Sequence, residues 1–463
     1  MRIVMIGDGY VGLVSGACFA DLGSHVTVVE ADHGRLTALK AGRIPIYEPD
    51  LDRLVVENIA ASRLSFTHRF EEAVGGADAV FLAVGTPSRR GDGHADLGHV
   101  FAAAEGLAAA LTGPTVVVTK STVPVGTGRR IAALMAELRP DLEIEVVSNP
   151  EFLREGSAIR DFMRPDRVVI GVETPHARAV LGQIYGRLAL GGTPLLFTGL
   201  ESAELIKYAA NGFLAMKVTY INEMADLCER LGADVLDVAQ GIGLDRRIGG
   251  KFLAPGPGFG GSCFPKDTLA LMRIAQDAGA PSRLIEAVIG ANDARKSGMA
   301  GRIIAAAGGT VRGRRIGVLG LAFKPDTDDL RDAPAIGIIH RLSEDGAKIR
   351  AYDPVGMEAA RGLLPGSVHY CRDAAEAAQE ADALVIVTEW NEFRSLSADR
   401  LKAAMRGRII IDLRNIFEPE AMRRAGLRYH PLGRPPGRAA EAKVRMSATA
   451  ADADAQPAMA DAA

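Results

Sequence analysis

The residues best suited to do chemistry lie in one glycine-rich segment that contains a single cysteine. In APGPGFGGSCFPKD, residues 254–267, Cys263 is closely followed by Lys266 and Asp267. Glycines allow a ligand to approach the backbone, and a nearby ammonium group favours the thiolate, which is the nucleophilic form of cysteine. The pattern therefore makes Cys263 a candidate nucleophile, with Lys266 placed to help lower the pKa of its thiol, and the alternative is a buried, inert thiol.

The other cysteines indicate neither a disulfide framework nor a zinc site. A lone cysteine is more often a buried, inert thiol than a nucleophile, and this interpretation is favoured for Cys18, Cys228 and Cys371. The four cysteines show no C-x-x-C spacing. We therefore expect no metal and a reducing, cytoplasmic setting.

A second group of residues has the spacing of a dinucleotide-binding turn. The segment GDGYVG, residues 7–12, follows a β-branched run and opens a helical pattern. Gly7 permits the tight turn, Gly9 lets the backbone approach a pyrophosphate, and Gly12 allows the helix to pack closely on the strand. The start of the helix favours the negative charge of such a ligand.

The acidic residue Glu30 closes the next predicted strand, at the spacing that the dinucleotide pattern requires. Its carboxylate is expected to bind the adenosine ribose hydroxyls and to repel a 2′-phosphate, which favours NAD over NADP. Arg35 follows nearby and could face a 2′-phosphate or neutralise the pyrophosphate, but NAD remains the predicted cofactor. Tyr10 and Val11, inside the glycine motif, complete the predicted contacts of this turn.

The overall composition excludes several classes of function. The chain has 463 residues, of which 48% are hydrophobic and 24% charged, and its formal net charge is −3. Such a chain is expected to form two or three domains with hydrophobic cores. The charge provides no global field for nucleic acid or an anionic membrane. Asp8 and the glycines interrupt the apolar N-terminus, which argues against a signal peptide, and no apolar run approaches the ~18 residues of a membrane span.

The hydrophobic pattern predicts the elements that must position these residues. In residues 1–199, β-branched runs alternate with helical patterns, which is typical of a parallel sheet with helices on both faces. Long helices follow in residues 200–300, and the alternation returns in residues 310–432, where RRIGVLGLAF, AKIRAYDP and ADALVIVTEW echo RIVMIGDGYVG, SHVTVVEAD and ADAVFLAVGTP. The predicted fold is therefore α/β: two Rossmann-like, doubly wound domains joined by a helical middle domain with a long central helix.

The glycine turn of the second α/β domain is incomplete. Gly317-Val-Leu-Gly320 lacks the third glycine of the dinucleotide pattern. The turn is predicted to suit a mononucleotide better, and the alternative is a purely architectural repeat. Residues 433–463 are rich in Ala, Pro, Asp and Gly without periodicity and are predicted to form a disordered tail.

Seven segments, in a fixed order, resemble the UDP-glucose/GDP-mannose dehydrogenase family. They are GDGYVG, STVPVGT, NPEFLREGSAIRDFMRPDRVVIG, KYAANGFLAMKVTYINE, GGSCFPKD, FKPDTDDLRDAP and DLRN. Together they cover almost the whole chain except the tail. NPEFLREGSA and GFGGSCFPKD look closest to the UDP-glucose branch, since relatives that oxidise UDP-N-acetylmannosamine tend to carry His where this chain has Ser262.

The resemblance implies NAD-dependent oxidation of the CH2OH group of UDP-glucose to the carboxylate of UDP-glucuronate. This change removes four electrons, so two NAD molecules must act in turn. A cysteine thiolate can hold the intermediate aldehyde as a thiohemiacetal, whose oxidation gives a thioester that water hydrolyses. The expected nucleophile in this chain is Cys263.

The same resemblance assigns roles residue by residue. Lys207 and Asn211, four apart on one helix face, would stabilise a developing oxyanion. Asp267 and Glu151 are candidates to hold or deprotonate the attacking water, which Thr122 would orient. Further cofactor contacts are predicted at Gly85, Thr86, Pro87, Ser121, Thr122, Glu155, Lys266 and Arg331. Contacts with the nucleotide sugar are predicted at Glu151, Phe152, Leu153, Glu155, Lys207, Asn211, Arg247, Phe259, Gly260, Lys324 and Arg414.

Other interpretations remain open from the sequence. Taken singly, Lys207 could be a solvated lysine, and Arg247, Lys324 and Arg414 could form surface salt bridges. GDP-mannose could replace UDP-glucose with the same mechanism. A two-electron hydroxyacid dehydrogenase would leave Cys263 idle and would not need the second α/β domain. A non-catalytic NAD-binding protein would leave the predicted catalytic residues unexplained.

The expected partners are the small-molecule substrate and further copies of the chain, with neither nucleic acid nor a membrane. Family precedent implies at least a homodimer built on the long middle helix, in which Arg247 reaches the active site of a neighbouring subunit. The loop after Gly85-Thr86-Pro87 contains Arg89-Arg90-Gly-Asp-Gly, whose charge the sequence does not explain.

Overall fold

The computed structural model of the chain describes residues 1–7, 9–89 and 91–435. Most of the predicted tail, residues 436–463, lies outside the described residues. At its predicted start the chain is still part of the fold, because the amide of Gly433 donates to Glu229 at 2.6 Å and its carbonyl oxygen accepts from the amide of Val235 at 2.9 Å. The tail prediction therefore began too early.

The N-terminal domain is an eight-stranded sheet covered by helices. Its strands are β1 (Arg2–Ile6), β2 (His25–Val29), β3 (Leu64–Thr67), β4 (Ala79–Leu82), β5 (Thr115–Thr119), β6 (Ile144–Ser148), β7 (Val168–Gly171) and β8 (Leu195–Thr198). Its helices are α1 (Tyr10–Asp21), α2 (His33–Lys40), α3 (Leu51–Ala60), α4 (Phe70–Val74), α5 (Gly98–Ala110), α6 (Thr127–Leu138), α7 (Ala158–Met163), α8 (Pro175–Ile184) and α9 (Gly186–Leu190). The strand order is β3-β2-β1-β4-β5-β6-β7-β8, whose first six strands follow the order of a dinucleotide-binding fold.

Hydrophobic residues on both faces of this sheet are buried, as the β-branched runs predict. Ile3 and Met5 belong to one hydrophobic core, and Val4 and Ile6, which alternate with them, belong to another. The predicted parallel pairing is confirmed throughout this sheet except between β6 and β7. β7 begins beyond the carboxyl end of β6 and runs back towards it. The two strands therefore pair antiparallel, through the single residue pair Ser148 and Gly171.

The middle domain consists of four helices. They are α10 (Leu200–Leu231), α11 (Val235–Gly243), α12 (Phe264–Asp277) and α13 (Arg283–Ala306). The predicted long central helix is α10, which has 32 residues and ends where Gly232 adopts a left-handed φ of 75°. It packs on α12 and α13 and also on β6 and β7. This helix therefore connects the middle domain to the carboxyl end of the first sheet.

The C-terminal domain repeats the nucleotide-binding architecture. Its strands are β9 (Arg315–Leu319), β10 (Lys348–Tyr352), β11 (His369–Tyr370), β12 (Ala383–Ile386), β13 (Ile409–Asp412) and β14 (Arg428–Pro431). Its helices are α14 (Pro334–Glu344), α15 (Met357–Ala360), α16 (Ala374–Ala378), α17 (Asn391–Arg394), α18 (Ala398–Ala404) and α19 (Pro419–Arg424). The strands are parallel in the order β11-β10-β9-β12-β13-β14, which matches the first six strands of the other sheet.

The repeated Ala-Asp-Ala of the sequence has the same structural role in both α/β domains. Asp78 precedes β4 and accepts a hydrogen bond from the amide of Arg2 at 2.7 Å. Asp382 precedes β12 and accepts from the amide of Arg315 at 2.8 Å. In each case the carboxylate fixes the first residue of the neighbouring strand. None of the helices formed by the described residues has the length and apolarity of a membrane-spanning segment.

Candidate active site

Two cavities share part of their lining. The first, of about 1190 Å³, extends from Gly9 to α14 of the C-terminal domain. The second, of about 890 Å³, lies between α10 and the segment that follows β6. The residues that line both cavities are Glu151, Leu153, Glu155, Ser262 and Cys263. Molecules bound in the two cavities would therefore meet at the thiol of Cys263.

Helix α10 presents two polar side chains to this meeting point. Lys207 and Asn211 are one turn apart and only 3% and 6% exposed, so Lys207 is not a solvated surface lysine. The ammonium group of Lys207 donates to Glu151 at 2.9 Å, and the amide group of Asn211 donates to Asp267 at 2.6 Å. The structure thus brings together four of the predicted catalytic residues, and α10 connects the segment after β6 to the first turn of α12.

The Lys207–Glu151 pair keeps two charges inside the protein. Burial alone would raise the pKa of Glu151, but the Lys207 ammonium and the amide of Leu153, at 2.5 Å, hold that pKa below its ordinary value. Burial alone would lower the pKa of Lys207, but Glu151, Cys263 and Asp267 raise it. Lys207 is therefore protonated at neutral pH, and each charge of the pair stabilises the other.

Cys263 directly precedes α12 and is half-buried. Burial raises the pKa of its thiol, and the positive charge of Lys207 acts in the opposite direction. The predicted influence of Lys266 is wrong, because its ammonium group donates to Asp267 at 2.6 Å and its charge is thereby compensated. The cation that lowers the pKa of the thiol most is Lys207, which spacing along the chain could not indicate.

Residues from all three domains converge on Glu155. Its carboxylate accepts from the hydroxyl of Ser262 at 2.8 Å and from that of Thr327 at 3.0 Å, and the guanidinium of Arg331 lies 3.5 Å away. The ammonium group of Lys324 donates to its backbone oxygen at 2.5 Å. The sequence analysis assigned no role to either hydroxyl, because a hydroxyl residue in a loop has no periodic signal.

The glycine turn before α1 has room for a pyrophosphate. A Cβ at Gly7, whose φ is 108°, would lie 2.8 Å from the carbonyl oxygen of Ala83, and a Cβ at Gly12 would lie 2.0 Å from that of Gly7. Nothing lies within 4 Å of a Cβ at Gly9, and this residue lines the first cavity. Because α1 begins at Tyr10, the free amides of its first turn favour an anion there.

Glu48 is a buried carboxylate beside this turn that the sequence analysis did not identify. It accepts from the hydroxyl of Tyr10 and from the amides of Gly156 and Ala158, at 2.6 and 2.7 Å. These bonds hold the segment that contains Glu155 against the glycine turn. Both Tyr10 and Glu155 line the first cavity.

The remaining predicted cofactor contacts lie mainly in the loops after β4 and β5. Val11, Gly85, Thr86, Pro87, Ser121, Thr122, Lys266 and Arg331 line the first cavity. The hydroxyl of Thr86 donates to the carbonyl oxygen of Thr122 at 2.9 Å, which joins the two loops. Glu30 directly follows β2, as predicted, and accepts from the amide of Asp32 at 2.5 Å. Glu30 and Arg35 are not part of the cavity lining, so their contacts with the adenosine end stay predictions.

Two further buried charges position the loop that contains Thr122. Glu204, one turn before Lys207 on α10, accepts from the amides of Gly126 and Gly128 at 2.6 and 2.7 Å, around the start of α6. Lys120 lies at the other end of the loop. Neither residue belongs to a recognisable local pattern, and their partners are distant in the sequence.

The ammonium group of Lys120 donates to the side chains of Asn149 and Tyr185, at 3.1 and 3.2 Å. Because Asn149 follows β6, these bonds tie the loop after β5 to the segment that contains Glu151. Burial lowers the pKa of Lys120 to about 8.

The second cavity has a positively charged wall. Its lining includes Arg160, Arg164, Arg167, Lys217, Lys251 and Lys324. The guanidinium of Arg167 lies 3.6 Å from the ring centre of Phe152. Gly260 lies in the same lining, where a Cβ would come within 2.4 Å of the carbonyl oxygen of Asp332. Such a set of cations suits a diphosphate.

Three predicted substrate contacts do not line either cavity. Arg247 is exposed and pairs with a neighbouring aspartate at 2.6 Å. Phe259 packs in a hydrophobic cluster of the middle domain. Arg414 donates to the carbonyl oxygen of Phe323 at 2.9 Å, which supports the loop that contains Lys324. Arg414 therefore acts on this cavity through its neighbours.

The glycine turn of the C-terminal domain is filled by a side chain of the domain itself. Asp353 directly follows β10, the position that Glu30 holds after β2. Its carboxylate accepts from the amides of Leu321 and Ala322 at 2.7 and 3.1 Å. These two amides are therefore already engaged within the domain, and the mononucleotide contact at this turn stays a prediction. The loop beyond it, at Lys324, reaches the second cavity.

The charges of the loop after Pro87 have partners in the structure. Arg89 pairs with Asp92, and the guanidinium of Arg273, on α12, donates to the carbonyl oxygen of Asp92 at 2.6 Å. His94 lies 3.0 Å from Asp277 at the end of the same helix. The loop is thus docked on the helix that follows Cys263. Arg90 lies outside the described residues.

Among the described residues, one group could supply ligands to a metal, and its members line neither of the two cavities. His369, Cys371 and Glu376 come together at β11. Glu376 is already paired with Arg372 at 3.0 Å and lies 3.5 Å from Arg350. These guanidinium groups oppose the binding of a cation, so the group does not support a metal-dependent reaction.

Three family models match the chain. They are described as the NAD binding domain, the central domain and the UDP binding domain of the UDP-glucose/GDP-mannose dehydrogenase family, and they match residues 1–189, 201–294 and 317–419. Their limits agree with the three domains of the structure.

Curated relatives match over almost the entire chain. UDP-glucose 6-dehydrogenase from Rhizobium meliloti is 59% identical over 94% of this chain and 100% of its own length. UDP-glucose 6-dehydrogenase TuaD from Bacillus subtilis is 47% identical over 95% of each chain. The structure of a UDP-glucose dehydrogenase from Pyrobaculum islandicum superposes with a TM-score of 0.85 at 39% identity, covering 92% of this chain and 96% of the other.

Proposed function

The chain belongs to the UDP-glucose/GDP-mannose dehydrogenase family, and on this basis we propose that it oxidises UDP-glucose to UDP-glucuronate with NAD as the cofactor. NAD accepts a hydride in each of the two oxidations, which together remove four electrons from one carbon. The observation that carries the proposal is the meeting of the two cavities at Cys263, beside the Lys207–Glu151 pair. A cofactor in the first cavity and a hexose in the second would bring the reacting carbon next to the thiol.

We assign the stabilisation of the alcohol oxygen to α10. Lys207 and Asn211 project from one face of this helix, and an ammonium group and an amide donor aimed at one point stabilise an alkoxide or a tetrahedral oxyanion. Because Glu151 and its neighbours raise the pKa of Lys207, this group acts as a charged donor and not as a base. Its burial strengthens the interaction, since water does not compete for the oxyanion.

The aldehyde then stays bound to the protein. The sulfur of Cys263 forms a bond to the aldehyde carbon, and removal of two further electrons from this thiohemiacetal gives a thioester. Water attacks the thioester and releases the carboxylate, which regenerates the thiol. Glu151 and Asp267, whose carboxylates flank Lys207 and Asn211, are the candidates to hold or deprotonate that water, and Thr122 is the candidate to orient it.

The second cavity favours a nucleotide sugar over a small hydroxyacid. Phe323 and Lys324 of the C-terminal domain line it, and several cations suit a diphosphate. A hydroxyacid dehydrogenase would need neither feature. GDP-mannose remains the second candidate substrate, and the choice of UDP-glucose rests on the relatives, which are UDP-glucose 6-dehydrogenases over almost the whole chain.

The enzyme is also proposed to form a homodimer through α10. An exposed apolar stripe follows one face of this helix, since its members lie about two turns apart: Leu205, Phe213, Tyr220 and Leu227. A contiguous stripe of this kind is typical of an interface. The exposed Arg247 would then contact the site of the partner subunit. A cytoplasmic location stays a prediction.

The stoichiometry of the reaction tests the proposed function. Purified full-length protein is incubated with excess NAD and a limiting amount of UDP-glucose or GDP-mannose, and the NADH formed per sugar is counted. We expect about two NADH per UDP-glucose, since an exocyclic alcohol needs two successive oxidations to become a carboxylate. Cys263→Ser should stall at a covalent or aldehyde-level intermediate, whereas Cys228→Ala, at a buried position remote from the cavities, should turn over like the wild type.

Two outcomes would contradict this function. A yield of one NADH per sugar would indicate a two-electron reaction, and full turnover by Cys263→Ala would exclude the covalent mechanism. Faster turnover of GDP-mannose than of UDP-glucose would leave the mechanism intact and change the substrate.

A further inference from the structure

A chain of hydrogen bonds leads from the thiol of Cys263 to a buried carboxylate. The hydroxyl of Ser262 lies 3.4 Å from Sγ of Cys263 and donates to Glu155 at 2.8 Å. All three side chains are at the wall that the two cavities share. A sulfur, a hydroxyl and a carboxylate are therefore connected at the point where the reacting carbon would lie.

The thiol needs an acceptor for its proton. Burial raises the pKa of Cys263, so the neutral thiol is the resting form at neutral pH. When sulfur forms a bond to carbon, this proton must leave, and a base within hydrogen-bond reach can accept it directly. A base close to the sulfur would remove the cost of forming a buried thiolate first.

The other carboxylates near the sulfur are already engaged. The two oxygens of Asp267 accept from Lys266 and Asn211, and the two oxygens of Glu151 accept from Lys207 and the amide of Leu153. The ammonium group of Lys207 also holds the pKa of Glu151 below its ordinary value, which makes this carboxylate a weaker base.

Glu155 differs because two hydroxyls, from Ser262 and Thr327, are its hydrogen-bond donors. Burial and the negative charge of Asp329 raise its pKa, which outweighs the opposing effect of Arg331. Glu155 is therefore a better proton acceptor than Glu151.

We propose that Ser262 relays the proton of Cys263 to Glu155 when the sulfur attacks an electrophilic carbon. The S–H bond breaks as the C–S bond forms, the hydroxyl of Ser262 takes the thiol proton while its own proton passes to Glu155, and the carbonyl oxygen receives the electron pair of the former C=O bond. Lys207 and Asn211 stabilise that oxygen. The identity of the electrophile, a sugar aldehyde, rests on the proposed function, whereas the relay itself needs only the protein.

Several charged groups face the two ends of the relay. Those that act on Cys263 are Lys207 from α10, Glu151 from the segment after β6, Asp267 from α12, and Lys324 and Arg331 from the C-terminal domain. Those that act on or near Glu155 are Asp329, Arg331, Lys324 and Tyr10. All of these groups are retained in every variant of the test, so their loss cannot explain a difference in pH profile between variants.

Alkylation of Cys263 by iodoacetamide tests the relay without substrate or cofactor. The full-length enzyme is treated over a range of pH values, and the rate is measured by mass spectrometry of the peptide that contains Cys263. A thiol assisted by a base reacts at a constant rate between the pKa of the base and that of the thiol, whereas unassisted attack by the thiolate slows about tenfold for each pH unit below the thiol pKa. We expect a flat region in the wild type and its loss in Ser262→Ala.

The control variants separate a relay from a structural role. Ser262→Thr keeps the hydroxyl and should restore the flat region, and Glu155→Gln should lose it as Ser262→Ala does. Alkylation of the buried Cys18 and Cys371 in the same samples would reveal an unfolded variant. A slope of about one logarithmic unit per pH unit in the wild type, or a flat region that survives in Ser262→Ala, would overturn the proposal.

This experiment is independent of the reaction on UDP-glucose. An enzyme that fails to oxidise UDP-glucose but shows the flat region would refute the proposed function and retain the relay. An enzyme that yields two NADH per sugar without the flat region would support the proposed function and refute the relay.

Discussion

The Lys207–Glu151 pair allows a quantitative prediction, because both side chains are almost fully buried. Replacing Lys207 with Met leaves the carboxylate of Glu151 inside the protein without its ammonium partner. Breaking such a pair on one side typically costs about 3–5 kcal/mol. The cost has a limit, since the carboxyl can take up a proton instead; with an ordinary pKa of 4.5 this limit is about 4 kcal/mol at pH 7.5 and about 1.4 kcal/mol at pH 5.5.

The sign of the pH dependence follows from the two pKa directions. In the wild type the pKa of Glu151 is lowered, so its contribution is complete above the ordinary value and is lost as the pH falls through the lowered one. In Lys207→Met, burial is no longer opposed and the pKa of Glu151 is raised. The destabilisation therefore begins above the lowered pKa of the wild type and grows with pH until the raised pKa of the variant is reached.

Urea unfolding at the two pH values provides the assay. With equal slopes, the shift of the unfolding midpoint is proportional to the free energy lost. The free energy lost should be larger at pH 7.5 than at pH 5.5 by up to about 2.6 kcal/mol, the difference between the two limiting costs. The double variant Lys207→Met/Glu151→Gln should recover most of the stability and none of the activity. Arg341→Met, which breaks the exposed pair with Asp345, should shift the midpoint little at either pH.

Three results would refute this reasoning. They are equal shifts at both pH values for Lys207→Met, a shift no larger than that of Arg341→Met, and a double variant that is as unstable as the single one.

Two further predictions concern the glycine turn and the dimer. Gly9→Ala should keep the thermal midpoint of unfolding but weaken NAD binding in a titration, since nothing in the protein lies within 4 Å of the new Cβ. Gly12→Ala should lower the midpoint, since its Cβ would lie 2.0 Å from a carbonyl oxygen. A lower midpoint for Gly9→Ala than for Gly12→Ala would contradict the assigned turn. Leu227→Asp changes the apolar stripe of α10 and should shift sedimentation towards a monomer. The control Leu190→Asp changes an apolar side chain on α9 that is 91% exposed, and it should leave sedimentation unchanged. Equal sedimentation of the two variants would exclude the proposed interface.

Much of the fold could be predicted because its signals are local. Buried parallel strands are continuous apolar runs, and β4 and β12 each follow the same Ala-Asp pair, so the repeat of the nucleotide-binding unit was visible in the sequence. The prediction failed where geometry is set by distant contacts. The antiparallel entry of β7 depends on a pairing of Ser148 with Gly171, and no local pattern specifies the direction of a strand.

The chemistry of the candidate site was also partly visible in the sequence. The segment around Cys263 indicates a candidate nucleophile, and the family resemblance implies an oxyanion site at Lys207 and Asn211, which the spacing places on one helix face. The influence on the thiol was assigned to Lys266, its neighbour in the sequence, whereas Asp267 compensates that charge. Electrostatic effects depend on distance in space, and only the packing of α10 on α12 brings Lys207 to the sulfur.

The three-domain architecture, the glycine turn and the candidate nucleophile follow from the amino-acid sequence alone, because each depends on residues that are adjacent or periodic along the chain. Which groups act on one another follows only from the folded chain. Glu155 accepts hydrogen bonds from the hydroxyls of Ser262 and Thr327, and Asp353 accepts one from the amide of Leu321. These partners are far apart in the sequence, so no local pattern indicates that they meet. The physical reason is that hydrogen bonds and charges act over a few ångströms of space, whatever the length of chain between their partners.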